Sequence, residues 1–255
     1  MLPLIMIYTN RILSLAVMLC ISLLSSCTSD LDPLPPPPDE PSSSSVEPSS
    51  SSSLIITSGT FTDSRDNKSY KWVVIGTQTW MAENLNYEAN GSKCYTNLEA
   101  YCGIYGRLYN WATAMAIDST YNSTSYSAVE KHTGVCPSGW HIPSDGEWGA
   151  LIKFINPTCS LTSDCDFAGM LLKATSGWNS NNGTDAYGFA ALPGSGGYSD
   201  GKFDNVGHYG DWWAASESKA SNAYGRCIGC DSNIDRVKRV NDNKSYLRSV
   251  RCLQD

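Results

Sequence analysis

The sequence predicts an α+β domain of small antiparallel sheets and two to three helices, stapled by disulfides and carrying a long loop-rich region. Three observations lead there. A capped amphipathic helix is written into residues 144–155, short alternating apolar runs lie on either side of it, and ten cysteines follow or accompany an export-like leader. The folded part, residues 54–255, is about 200 residues long, enough for one domain with a sizeable core.

The helix is the most densely specified element. Ser144 and Glu147 stand at capping-box spacing, in which the hydroxyl takes a free amide of the first turn and the carboxylate reaches back to the cap. Pro143 and Trp148 occupy the positions of a hydrophobic staple. Trp148, Leu151, Ile152 and Ile155 fall at i, i+3, i+4 and i+7, so a helix over 145–155 buries that face. Just upstream, Cys136 offers a disulfide that fixes the approach, and His141 reads as a hydrogen-bonded structural histidine. With His132 and His208 it completes a set of three isolated histidines, none at metal-ligand spacing.

Ahead of the domain, residues 12–24 form an apolar run preceded by Arg11, short for a bilayer span and suited to a signal-peptide core. Leu24-Ser25-Ser26-Cys27 follows and resembles the lipobox of bacterial lipoproteins. That resemblance implies a signal peptide over 1–26, acylation of Cys27 and a membrane partner reached through the lipid. Cys20 is a poorer acceptor because bulky Leu19 precedes it. The uncharged residues 1–5 leave Met6 open as an alternative start. Thr28 stands where an inner-membrane lipoprotein would carry Asp, so the expected location is the outer membrane, cell-surface exposed or periplasm-facing. Residues 27–53, with Pro35 to Pro38 and two serine runs, predict a disordered tether of stiff polyproline and flexible linker.

Within the domain, Tyr70, Trp72 and Val74 alternate with Lys71, Val73 and Ile75 after an Asp66-Asn67 turn, which predicts a hairpin. Gly76-Thr77 then turns the chain into 78–81. Tyr105, Leu108, Tyr109, Ala112, Met115 and Ala116 repeat with helical spacing and predict a helix over 105–116. Asp166 is placed to cap a third, short helix in which Phe167, Met170, Leu171 and Ala174 share a face. From 176 onward Gly, Asn, Asp and Ser dominate, broken by strand candidates at 187–192, 212–215, 223–228 and 246–253.

Eight cysteines remain after Cys27. The simplest pairing is Cys94 with Cys102, Cys159 with Cys165, Cys227 with Cys230, and Cys136 with Cys252, although spacing leaves the connectivity open. Cys227-x-x-Cys230 also admits a redox centre or half a metal site. A second cysteine pair at zinc spacing, however, is lacking.

A formal charge of −7, from 18 basic and 25 acidic residues, does not suit a nucleic-acid groove, which needs clustered Lys and Arg. Glycoside hydrolysis would need two carboxylates across a scissile bond, for which Glu83, Asp145, Asp185 and Glu217 are candidates without a spacing signature. No cofactor is required by any motif. Asn179, Asp185, Asp200 and Asp204 offer hard oxygen ligands for Ca²⁺, and Asx turns account for the same residues without metal. All eight Trp lie in the domain. Most aromatics belong to the core, and Trp178, Tyr198, Tyr209 and Trp212, in the loop-rich half, are the candidates for exposed stacking surfaces. With Asp185 and Glu217 they make up the expected ligand-binding set. Arg226, Arg248 and Arg251 are read either as binding groups or as paired surface charges.

Six ordered blocks carry a family resemblance. They are Thr-Gln-Thr-Trp-Met-Ala-Glu-Asn-Leu at 77–85, Tyr-Gly-Arg-Leu-Tyr-Asn-Trp-Ala at 105–112, Cys-Pro-Ser-Gly-Trp-His-Ile-Pro-Ser at 136–144, Gly-Thr-Asp-Ala-Tyr-Gly-Phe at 183–189 with Ala-Leu-Pro-Gly at 191–194, Asp-Trp-Trp at 211–213 with Ser216 and Glu217, and Ser-Val-Arg-Cys at 249–252. Together they resemble the Fibrobacter succinogenes major paralogous domain over roughly 60–253. Two helices, a loop-rich insertion and a terminal strand further resemble the C-type-lectin-like fold. The resemblance implies a surface-displayed binding module for polysaccharide or another extracellular ligand. A secreted hydrolase using loop carboxylates and a structural or protein-binding envelope component are the alternatives. The lectin calcium triplets, and the paired active-site cysteines of the formylglycine-generating enzymes that share that fold, have no counterpart here.

Overall fold

The computed structural model describes residues 56–127 and 131–255. The expected signal peptide over 1–26, the expected acylation site Cys27 and the expected tether over 27–53 lie outside these residues.

Two five-stranded sheets form the frame. The first runs β1 (Ser58–Thr62), β2 (Ser69–Ile75), β3 (Gln78–Met81), β10 (Leu253–Gln254) and β5 (Trp140–His141), antiparallel throughout. The expected hairpin is β1–β2, turning where Asn67 adopts φ 60, a conformation Asn tolerates. β3 follows the turn at Gly76, whose φ of 63 suits glycine. The second sheet runs β4 (Leu108–Tyr109), β9 (Arg248–Ser249), β6 (Gly210–Lys219), β7 (Asn222–Ile228) and β8 (Val237–Asn243). In this sheet β6 and β9 pair in parallel and the other neighbours antiparallel.

Although β1 keeps alternate residues exposed, several strands are covered on both faces over much of their length, so alternation there sorts residues between two cores rather than between core and water. Val73, Ile75 and Trp80 enter one core, Tyr70 and Met81 the other. Trp212 and Trp213, adjacent in β6, likewise part to opposite sides. The helix α3 (Asp145–Ile155) lays Trp148, Leu151, Ile152 and Ile155 on the first core, with the Trp148 ring 4.6 Å from that of Trp80. Its capping box is complete: Ser144 Oγ accepts from Glu147 N, and Glu147 Oε2 accepts from Ser144 N at 2.8 Å. Gly149 lets the helix meet the following loop, because a Cβ there would stand 2.2 Å from Leu161 O.

The four bridges are Cys94–Cys102, Cys136–Cys252, Cys159–Cys165 and Cys227–Cys230. Cys136–Cys252 joins β10 to the loop that delivers α3.

Four expected elements differ, the first being the strand over 246–253, which divides into β9 in the second sheet and β10 in the first. The helix over 105–116 is broken in three. α1 (Glu99–Tyr105) ends at Gly106, φ 77; Leu108 and Tyr109 then pair with Ser249 and Arg248; and Asn110 caps the short α2 (Trp111–Ala114). Burial of Leu108 and Tyr109 in a sheet satisfies the same apolar residues as a helix would. The third helix, α4 (Ala168–Leu172), starts one residue late, because Phe167 is left-handed at φ 66 and points to solvent, 67% exposed. Asp166 does not cap it but pairs with Arg236 at 2.7 Å. Residues 187–192 form no strand, only a single bridge between Lys173 and Ala191. The second sheet instead ends in β8, which pairs with β7 and whose polar sequence carries no strand signal.

Candidate functional site

Several residues expected at a binding surface are structural. Trp178 is 7% exposed and donates its indole N–H to Ala191 O at 3.0 Å, while Trp212 is 1% exposed and donates to Asn84 Oδ1 at 2.8 Å. Burial of so much apolar area outweighs presentation to a ligand. Glu217 accepts from the Tyr126 and Ser127 amides and pairs with Lys244. Its carboxylate has no vacancy for a substrate. Asp185 caps a turn by accepting from Ala190 N at 2.7 Å, and burial raises its carboxyl from the ordinary value against that hydrogen bond and the charge of Arg251.

The three arginines, expected at the surface, are not surface charges, and two lysines on which the sequence carried no expectation join them. Arg226, Arg248 and Arg251 are buried, and so are Lys173 and Lys244. Irregular chain leaves carbonyls without ladder partners, and buried carbonyls demand donors. Lys244 Nζ donates to the carbonyls of Tyr121, Thr124 and Ala220, Lys173 Nζ to that of Asn181, and Arg251 to those of Phe189 and Ala190. These cations replace a sheet as the organiser of the loops.

For hydrolysis the carboxylates are badly distributed. Asp145 is gripped by Arg226 at 2.7 Å and Arg239 at 2.8 Å. Glu83 accepts from Lys71 N at 2.8 Å and is the only acid among the described residues lining a cleft of about 350 Å³ with Lys68, Tyr70, Asn86 and Tyr105. A pair across a scissile bond is not assembled there.

The residues offered for calcium are also separately engaged. Asp200 pairs with Lys202 at 2.9 Å, Asp204 accepts from the Tyr209 hydroxyl, and the Asn179 side chain approaches Val206 O. Among the described residues, Asp185, Asp200 and Asp204 do not cluster; the acid and sulfur groups that do are Cys94, Glu99 and Cys102, and Asp211, Cys227 and Cys230. The sulfurs in both are disulfide-bonded.

Of the expected aromatics, Tyr198 lines a cleft. It is half-buried, packs edge-on against Tyr246 at 5.1 Å, and shares a groove of about 410 Å³ with Phe203, Lys93 and the amides of Asn97, Asn110 and Asn122. The groove is built from firm parts. Asn110 Oδ1 accepts from Thr113 N as the cap of α2 and from Asn122 at 3.2 Å. The loop bearing Tyr198 is pinned by bridges from Gly197 to Phe203 and Leu247, and by the Tyr95 hydroxyl donating to Asp204 O at 2.6 Å. Tyr209 supports this loop from behind through Asp204. The sequence hid the three amides because each sits in a turn, cap or short loop, where Asn is common for backbone reasons alone.

A larger cleft, about 740 Å³, lies between β2 and α3, walled by Ile56, Val74, Ala150, Phe154, Leu161 and Tyr187. Its walls are chiefly apolar. No helix among the described residues is long and apolar enough to cross a membrane.

Architecture and site thus define a disulfide-stapled α+β domain with a rigid, amide-rich groove. The chain matches the family model of the Fibrobacter succinogenes major domain over residues 73–254, more than half its length, and belongs to that family. No curated protein and no solved structure matches it.

Proposed function

We propose that this is a lipid-anchored, surface-displayed binding module of C-type-lectin-like architecture whose Tyr198 groove takes polysaccharide. The observation that carries the reading is the groove itself, where an aromatic ring stands beside three side-chain amides, two of them, Asn110 and Asn122, fixed by hydrogen bonds. A sugar offers a flat apolar face and a ring of hydroxyls. Tyr198 and Phe203 suit the first, and the amide of Asn97 with the N–H groups of Asn110 suits the second, since Asn110 Oδ1 already accepts from Thr113 N and Asn122, and Asn122 Oδ1 from Ala112 N. The architecture is supported by the terminal strand β10 inserted between β3 and β5 and locked there by Cys136–Cys252. Disulfides belong to an oxidising compartment, in accord with acylation at Cys27 and an outer-membrane location. The reading calls for neither catalysis nor a cofactor.

A glycan array probed with the full chain and with Tyr198→Ala tests this. The expected result is binding without turnover that the substitution removes while the melting temperature holds. Unchanged binding by the variant would refute the groove, and released sugar products would favour a hydrolase.

The apolar cleft favours a second reading, a protein-binding envelope component, because Phe154 and Leu161 are 49% and 45% exposed. Retention of a defined envelope protein by the native chain and not by Phe154→Ser would support it.

A further inference from the structure

Asp211 and Cys227 are register partners across the β6–β7 ladder, so their side chains leave the sheet on the same face. Cys227 is fully buried, whereas its bonding partner Cys230 lies beyond the end of β7, after a turn at Gly229 with φ 84, and is accessible to solvent. A carboxylate oxygen of Asp211 stands within 4.8 Å of both sulfurs. Arg248 pairs with Asp211 Oδ2, but Oδ1 is buried with no hydrogen-bond partner. A buried carboxylate oxygen left unpartnered is costly for the fold. The same carboxyl faces the Cys227 sulfur across the ladder.

We propose that Cys227–Cys230 is a redox-active disulfide that oxidises a dithiol of a partner protein, with Asp211 as proton donor and acceptor for the Cys227 sulfur. An incoming partner thiolate attacks Cys230 Sγ, the sulfur open to solvent. The S–S bond breaks, its electron pair leaves on Cys227, and protonated Asp211 transfers its proton to that sulfur. A mixed disulfide then joins Cys230 to the partner. The partner's second thiolate attacks the partner sulfur of that bond; Cys230 leaves as thiolate and takes a proton from water. Two electrons have passed from the partner dithiol to the Cys-x-x-Cys pair, and the partner holds a new disulfide.

The surroundings suit this role. Burial, reinforced by Asp242 and Asp204, pushes the Asp211 carboxyl up to about 7 against the opposing charge of Arg248. Both of its forms are then present near neutrality, the condition for efficient proton transfer. On the other side of Cys227 the register partner is Lys238 of β8. The other bridges lack the combination. Cys136–Cys252 is buried at both ends. Cys94–Cys102 has Glu99 beside it, but both cysteines are buried, and Glu99 is exposed and paired with Arg107.

The test is reduction of the full chain by glutathione, quenched by alkylation and mapped by mass spectrometry between pH 6 and 8. Cys227 and Cys230 are expected to be alkylated about tenfold or more faster than Cys136 and Cys252, as access and leaving-group protonation dictate. After correction for the thiolate fraction of glutathione, the rate should fall as Asp211 deprotonates, with an inflection near 7, and Asp211→Asn should abolish that inflection. Equal rates at the two bridges would overturn the proposal. So would a corrected profile without inflection in the native chain, a reading that holds even where the variant does not fold.

Discussion

Arg251 and Asn84, 167 residues apart in sequence, meet with the guanidinium Nη2 donating to the amide oxygen at 2.8 Å. The same oxygen accepts from Arg251 Nε at 3.2 Å and from the Trp212 indole at 2.8 Å. One amide thus ties together three of the six sequence blocks that mark the family. Arg251 is fully buried, with its guanidinium over the Phe189 ring at 4.3 Å.

Removing that acceptor should be expensive. Asn84→Ala leaves a buried cation and an indole N–H without their partner, each worth about 1–3 kcal/mol. A loss of about 3 kcal/mol in urea unfolding is expected, and an unchanged midpoint would contradict the hub.

Glu217 should behave as a structural residue. Glu217→Gln withdraws the charge that neutralises fully buried Lys244, and breaking a buried pair on one side costs about 3–5 kcal/mol. Lys244→Met with Glu217→Gln should recover part of the loss. Denaturant titration of the single and double variants measures this directly.

The long bridge acts on the unfolded chain. Cys136–Cys252 closes 116 residues, worth about 4–5 kcal/mol in the chain-entropy account. Replacing both by Ser should lower stability by that amount, whereas replacing Cys159 and Cys165, six residues apart, should cost less.

The His141 network predicts a pH window. Burial would push Glu147 up, but hydrogen bonds from His141 and Ser144 overcome it and bring the carboxyl down to about 2 from 4.5. Burial would lower His141, yet bonds to Glu147 at 3.0 Å and Asp255 at 2.7 Å raise it above 6.5. The Glu147 contribution is complete above pH 4.5 and lost as pH falls toward 2; the His141 contribution is complete below 6.5 and lost as pH rises through its elevated value. The network is therefore strongest between pH 4.5 and 6.5. His141→Gln should lower the melting temperature most inside that window, and the gap to the native protein should narrow above it.

Calcium removal should leave the melting temperature unchanged, because Asp185, Asp200 and Asp204 already hold Ala190 N, Lys202 and Tyr209. A fall on adding chelator would reveal an ion that these pairings do not anticipate.

Local chemistry was legible where one short stretch decides the outcome. The Ser144–Glu147 box and the apolar face of α3 involve neighbours along one helix, and the bounds 145–155 follow from them. The hairpin β1–β2 and the cysteine pairs close in sequence are equally local. The helix expected over 105–116 was not decided locally. Leu108 and Tyr109 satisfy a helical spacing and a sheet position alike, and only pairing with Arg248 and Ser249 selects the sheet.

The site was less legible than the fold. Tyr198 was visible as an aromatic in a loop-rich half, but Trp178 and Trp212 carried the same signal and are core. Ring count does not distinguish burial from display.

The sequence alone determined the capped helix, the hairpin and the kind of chain this is, because those depend on spacing and composition. Tertiary structure decided which charges are buried, which carboxylates are spent on Arg and Lys, and which asparagines meet beside Tyr198. Those outcomes depend on which distant segments the fold brings to hydrogen-bonding distance, as with Arg251 and Asn84, and no local pattern encodes such a meeting.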